Sequence, residues 1–64
     1  MFLMLPTVEE LTHSDLPDLV DMLVMHSEEY TRLHKTEGKT PRTNAIAELI
    51  QRIQKAIELK RIRN

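Results

Sequence analysis

Cysteine and tryptophan are absent from the 64 residues, and glycine, tyrosine and phenylalanine each occur only once. The lack of cysteine excludes disulfide bonds and thiolate metal sites. A single glycine cannot build the glycine-rich loop that cradles phosphate groups in nucleotide-binding proteins. Two aromatic residues offer no platform on which nucleic-acid bases could stack. What remains to be explained is therefore a chain of aliphatic and charged residues.

Long apolar runs are also missing. The opening run MFLML has five residues before Pro6, which is too short for a secretion signal or a membrane span. No later run approaches the roughly 20 apolar residues of a membrane helix. A cytoplasmic protein without membrane contact is the expectation.

The length allows one small domain with a marginal core. Such a core normally needs a metal, a disulfide or oligomerisation to be stable. Apolar residues make up 41% of the chain, which is typical of a folded protein. No cofactor is predicted and disulfides are excluded, so self-association is expected to complete the core.

A long amphipathic helix is predicted over about residues 15–36. Residues placed about 100° apart form an apolar sector roughly 200° wide, so this helix should contact at least two others. Ser14 suits the N-cap position, and Pro17 would then be the third helical residue. Gly38 can take the left-handed conformation that closes a helix.

A second helix is predicted over about residues 41–62. Thr40 suits its N-cap and Pro41 its first position. The helix carries isoleucines at spacings of 4, 3 and 4, the pattern of a coiled-coil seam, with Leu49 and Ala56 beside it. Before the first helix, residues 1–13 are predicted to form an apolar arm and a short helical turn over about 8–12. Thr7 and Glu10 have capping-box spacing there.

The expected fold is all-α. A connection of about four residues makes the two long helices an antiparallel hairpin over residues 14–64. Two hairpins related by a two-fold axis would form a four-helix bundle and bury the wide apolar face. The residues predicted to form this core and dimer interface are Leu16, Leu19, Leu23, Tyr30, Ile46, Ile50, Ile53 and Ile57.

Residues 14–61 resemble a group of short, uncharacterised bacterial helical-hairpin proteins. The positions that carry the resemblance are Leu19-Val20-x-x-Leu23, Tyr30-Thr31, Gly38 and Ile53-Gln54-x-x-Ile57 with the basic end that follows. The resemblance implies two helices and self-association. It implies no activity and no catalytic residue.

The charges are unevenly divided along the chain. Residues 1–31 contain seven acids and no lysine or arginine, whereas residues 32–64 contain nine bases and three acids. An acidic helix lying against a basic helix explains this division. The alternative is a nucleic-acid-binding bundle that would use Arg42, Arg52, Lys55, Lys60, Arg61 and Arg63.

Polar clusters give little support for catalysis or metal binding. His26, Tyr30 and His34 share one side of the first helix, either as a metal or proton-transfer cluster or as half-buried polar residues at the dimer seam. Glu10 and His13 have the Glu-x-x-His spacing of di-iron bundles, but the apolar helix faces carry no inward glutamate. Ser27 follows His26, but adjacent residues of a helix point about 100° apart and so do not form a catalytic dyad.

The predicted function is that of a non-enzymatic structural or interaction module, acting through self-association and a protein partner. Met25 falls on the polar side of the helical wheel. It is either an isolated exposed residue or an adaptable anchor for that partner.

Overall fold

A computed structural model describes residues 5–63 of the chain, with the side chains of residues 5–62. In this range every regular element is a helix, so the all-α prediction is confirmed. The three helices are α1 (Val8–Leu11), α2 (Leu16–Glu37) and α3 (Pro41–Arg63). Of the predicted N-terminal arm, only Leu5 belongs to the described residues; residues 1–4 lie outside them.

The capping box predicted from Thr7 and Glu10 is present at the start of α1. The Glu10 Oε1 accepts from the Thr7 backbone N–H at 2.9 Å, and the Thr7 hydroxyl accepts from the Glu10 N–H at 3.1 Å. The bond from the Thr7 backbone holds the pKa of the Glu10 carboxyl below its ordinary value of 4.5, with help from the Thr7 hydroxyl and the nearby His13. Two reciprocal bonds thus define a helix of a single turn.

The start of α2 differs from the prediction. Ser14 does not cap the helix. It belongs to the turn that closes α1, where its N–H donates to the Leu11 carbonyl at 3.0 Å. Asp15 occupies the N-cap position with extended backbone, although its side chain makes no capping hydrogen bond. The helix therefore begins at Leu16, and Pro17 is the second helical residue rather than the third. At either position its missing N–H costs no intrahelical bond.

Gly38 ends α2 with φ 71° and ψ −148°. The positive φ agrees with the role expected of the only glycine in the chain, but the ψ value lies outside the left-handed helical well. This combination of angles is accessible almost only to glycine. It sends the chain away from the helix in an extended direction, toward the start of α3.

Thr43 is a buried polar residue that the sequence did not single out. The Thr40 hydroxyl accepts from the Thr43 N–H at 3.2 Å, as expected for an N-cap. In return the Thr43 hydroxyl accepts from the Thr40 N–H at 2.8 Å and can donate to the Thr40 carbonyl at 2.9 Å or the Gly38 carbonyl at 3.2 Å. One side chain therefore bonds to the Thr40 N–H and to a backbone carbonyl of the α2–α3 connection.

Replacing Thr43 with valine, which has nearly the same shape, should lower the free energy of unfolding by about 1–3 kcal/mol. The reason is that the part-buried Thr40 N–H would lose the acceptor that the buried Thr43 hydroxyl provides. Chemical denaturation followed by circular dichroism measures the loss. The matched control is Thr36→Val, at an exposed position of α2, which should change stability by less than about 0.5 kcal/mol. Equal losses in the two variants would contradict the role given to Thr43.

Helix α3 packs against both α1 and α2. The principal-axis extents are 39 × 24 × 14 Å, and the shortest is about the span of two packed helices. Within residues 5–63 there is therefore no third layer to cover the outer faces of the helices. Among the described residues the buried apolar side chains are correspondingly few; they are Leu11, Leu19, Leu49, Ile53 and Ala56.

Candidate interaction surface

The most distinctive surface feature is an uncovered apolar line on α2. Val20 and Val24 are 46% and 53% exposed, although both extend the apolar sector of the helical wheel. Ser27 follows Val20 by seven residues, and Thr31 follows Val24 by the same number. Because seven residues are about two helical turns, all four residues lie on the same side of α2. Leu19, which precedes this line by one residue, is fully buried against α3.

A matching line runs along α3. Ile50 and Ile57 are seven residues apart and half-buried, and Ala47 and Gln54 form a parallel pair beside them. A groove lined by residues of both helices, Ser27 and Thr31 with Ala47 and Ile50 among them, shows that the two lines meet on one side of the molecule. We call this surface the open face; it consists of Val20, Val24, Ser27, Thr31, Ala47, Ile50, Gln54 and Ile57. None of these eight positions is charged.

The side of α3 that is buried differs from the predicted seam of Ile46, Ile50, Ile53 and Ile57. The two are rotated relative to each other around the helix axis. The buried apolar residues of α3 are Leu49, Ile53 and Ala56, whereas Ile50 and Ile57 are only partly buried, at the edge of the core. The reason is α1, which packs on the Leu49 and Ala56 side of α3 together with Leu5. Sequence periodicity could not reveal which flank of the seam a distant segment would cover.

The remaining predicted interface residues take several positions. Leu19 and Ile53 are fully buried in the core, and Leu23 packs partly buried against it. Leu16 and Tyr30 are half-buried. Ile46 lines a separate concavity with Leu5, His26 and Leu49, away from the open face.

Two of the six cations considered for nucleic-acid binding instead hold the N-terminal segment. Arg52 Nη1 donates to the carbonyl of Pro6 at 3.2 Å and of Leu5 at 3.4 Å. Lys60 Nζ donates to the carbonyl of Thr12 at 2.9 Å, at the end of α1. These partners are 46 to 48 residues apart in sequence, and no local signal could have predicted them.

The other cations of that set are placed differently. Arg42, Lys55 and Arg61 are exposed to solvent, and the side chain of Arg63 lies outside the described part of the chain. Arg52 also approaches Glu48 within 3.4 Å. The positive charge available on the surface of α3 is therefore less than its composition suggests.

The histidines and tyrosine of α2 do not converge on one point. His26 Nδ1 lies 3.3 Å from Glu29 Oε1, and the rings of Tyr30 and His34 are 5.7 Å apart. At the N-terminus, the Glu10 carboxylate is directed to the Thr7 N–H. Across the described residues, no three or more histidine, aspartate or glutamate side chains are grouped so that they could hold a metal ion.

None of the three described helices combines the length and the apolar character needed to cross a membrane. Comparison with protein-family models, with curated proteins and with solved structures finds no match to this chain. The interpretation of the open face therefore depends on its own geometry and chemistry.

Proposed function

We propose that this protein is a non-enzymatic helical interaction module that self-associates through the open face. In this proposal α2 and α3 form an antiparallel hairpin, and two hairpins make a four-helix bundle in the cytoplasm. The observation that carries the proposal is the exposure of Val20 and Val24 beside the half-buried Ile50 and Ile57, on a face of uncharged residues that Glu58 and Arg61 border next to Ile57.

The hairpin is supported by the order of contacts along the two helices. Leu19, near the start of α2, belongs to a cluster with Ile53 and Ala56 in the second half of α3. Thr31, further along α2, lines a groove with Ala47 near the start of α3. Contacts that run in opposite order along two adjacent helices are those of an antiparallel pair.

Self-association is supported by size and surface chemistry. A standard protein interface buries about 800 Å² per partner, which is about a sixth of the 5080 Å² accessible surface of this chain. Burying apolar area stabilises an interface by roughly 25 cal/mol per Å². This stabilisation is large for a domain that has few fully buried side chains of its own. One polar member of the open face, Thr31, already has a partner within α2, since its hydroxyl donates to the Ser27 carbonyl at 3.0 Å.

Light scattering across a dilution series tests the proposal. The expected molar mass is about twice 7.5 kDa at high concentration and should fall toward the mass of a single chain on dilution. A folded monomer at every concentration would contradict self-association. The nucleic-acid alternative would instead require low-salt binding to DNA or RNA that weakens steeply with salt and on neutralising Lys55 and Arg61.

A further inference from the structure

The N-terminal segment crosses α3 as a strap, which we define as residues 5–12, and it is held near both of its ends. Arg52 donates to the Pro6 carbonyl at 3.2 Å near the start of the strap. Lys60 donates to the Thr12 carbonyl at 2.9 Å at its end. The two cations are eight residues apart on α3, which corresponds to about 12 Å along the helix axis. One helix therefore holds the strap at two separated points.

Between these points the strap contacts the core through apolar side chains that are three residues apart, namely Leu5, Val8 and Leu11. Leu11 is buried, and the other two pack partly buried against the same cluster. On a helical wheel, the two cations and the buried apolar residues of α3 fall within one sector of about 100°. We call this sector the seat; it consists of Leu49, Arg52, Ile53, Ala56 and Lys60. The seat and the open face share no residue.

The strap makes several of its hydrogen bonds within itself. Thr7 and Glu10 form the capping box in both directions. Across residues 5–63, the hydrogen bonds that reach the strap from α2 or α3 are those of Arg52 and Lys60. Each of them ends on a backbone carbonyl, which any peptide segment can provide. The seat therefore recognises the spacing of apolar residues and carbonyls, and no particular polar side chain.

The strap has little helical stability of its own. Helix α1 is four residues long, and a single helical turn is not stable in water without tertiary contacts. Of the strap residues only Leu11 is buried. Short surface segments with few buried contacts open locally at a smaller free-energy cost than unfolding of the whole domain. We therefore expect the strap to leave the seat more readily than α2 and α3 separate.

We propose that the seat is a binding site for a partner protein and that the strap blocks this site in the isolated chain. The partner segment has the chemistry of the strap, with apolar residues at positions i, i+3 and i+6 in a single capped helical turn. Its carbonyls accept from Arg52 and Lys60 in place of the strap. The strap is thus an autoinhibitory contact, because it competes for the same surface. This site lies on a different side of α3 from the open face and does not require self-association.

A fluorescent peptide of residues 5–13 serves as the probe, and its binding to the full chain is followed by fluorescence anisotropy. The apparent affinity is proportional to the fraction of molecules in which the seat is open. Leu11→Ala removes the buried leucine of the strap and leaves the seat unchanged. We therefore expect this variant to bind the peptide about tenfold more tightly than the wild type, because the competing strap is weakened. Equal binding by the two proteins would overturn the proposal.

Two controls show whether the binding is specific. Leu23→Ala makes the same chemical change on α2, at a partly buried position of the same core, and should leave the peptide affinity near the wild-type value. A peptide carrying Leu11→Asp should not bind, because its carboxylate would be buried among apolar residues. Equal gains in Leu11→Ala and Leu23→Ala, or binding of the Leu11→Asp peptide, would indicate attachment to a loosened core and would contradict the site.

Circular dichroism extends the test to an unfolded Leu11→Ala protein. Such a protein should regain its helical spectrum with excess peptide, which supplies the missing leucine in trans, and failure to do so would overturn the proposal. Arg52→Gln added to Leu11→Ala should weaken peptide binding about fivefold, because it removes the charged donor to the first two carbonyls of the peptide. An unchanged affinity would show that the peptide does not occupy the seat.

Discussion

The Ile53→Asp variant is expected to lose its cooperative fold. Ile53 is fully buried, with no accessible surface, in the cluster that includes Leu19, Leu49 and Ala56. An aspartate at this position must be buried as a charge or protonated without a partner, at a cost of several kcal/mol. A domain of this size has a total stability of about 3–10 kcal/mol, so little or none of it would remain.

The same helix provides a matched control for this variant. Ile62 is 73% exposed, so Ile62→Asp makes the same chemical change without burying it and should alter stability by less than about 0.5 kcal/mol. Circular dichroism at increasing denaturant concentration measures both variants. Cooperative unfolding of Ile53→Asp at the wild-type midpoint would contradict the position of Ile53 in the core. An equal loss in the two variants would show that aspartate acts by weakening the helix and not through burial.

The paired substitution Val20→Asp with Val24→Asp is expected to give a folded monomer. It would bring four carboxylates per dimer to an apolar interface, where each would lose much of its hydration. Folding should be retained because both positions are about half exposed and lie outside the buried core. Aspartate and valine also have similar helix propensities. The expected result is a molar mass near 7.5 kDa with a helical spectrum.

Met25 supplies the control for this pair of substitutions. It is 58% exposed but projects about 100° from Val24 around the helix, away from the open face. Met25→Asp should therefore leave the dimer intact in the same light-scattering series. Dimerisation of the Val20 and Val24 double variant at wild-type affinity would show that the open face is not the interface. Loss of helix in that variant would show that these valines are needed for the fold itself.

Several features of the fold could be predicted because their causes are local. The capping box at Thr7 and Glu10 depends on residues three positions apart, and the positive φ of Gly38 depends on the lack of a Cβ atom. The Thr40-Pro41 start of α3 is likewise visible in adjacent residues. Even at this scale the prediction failed for Ser14, which belongs to the turn that closes α1, so that Asp15 and not Ser14 is the N-cap of α2.

The candidate surface could be predicted only in part. The helical wheel showed that α2 has more apolar surface than one neighbour can cover, and Val20 and Val24 do remain exposed. It could not show that Leu49 and Ala56 would be buried in place of three of the four seam isoleucines. That outcome depends on where α1 packs, which is a contact between segments about 40 residues apart in the chain.

The sequence by itself determined an all-helical chain, because helix periodicity, caps and the absence of cysteine are properties of neighbouring residues and of composition. Only the tertiary structure decided which cations are engaged and which side of the helix pair stays open. Arg52 and Lys60 look like surface charges in the sequence, yet both donate to carbonyls of the N-terminal segment. The physical reason is that the partner of a long side chain depends on the three-dimensional path of the backbone. In the same way, the N-terminal segment packs on one side of α3 and leaves the other side uncovered.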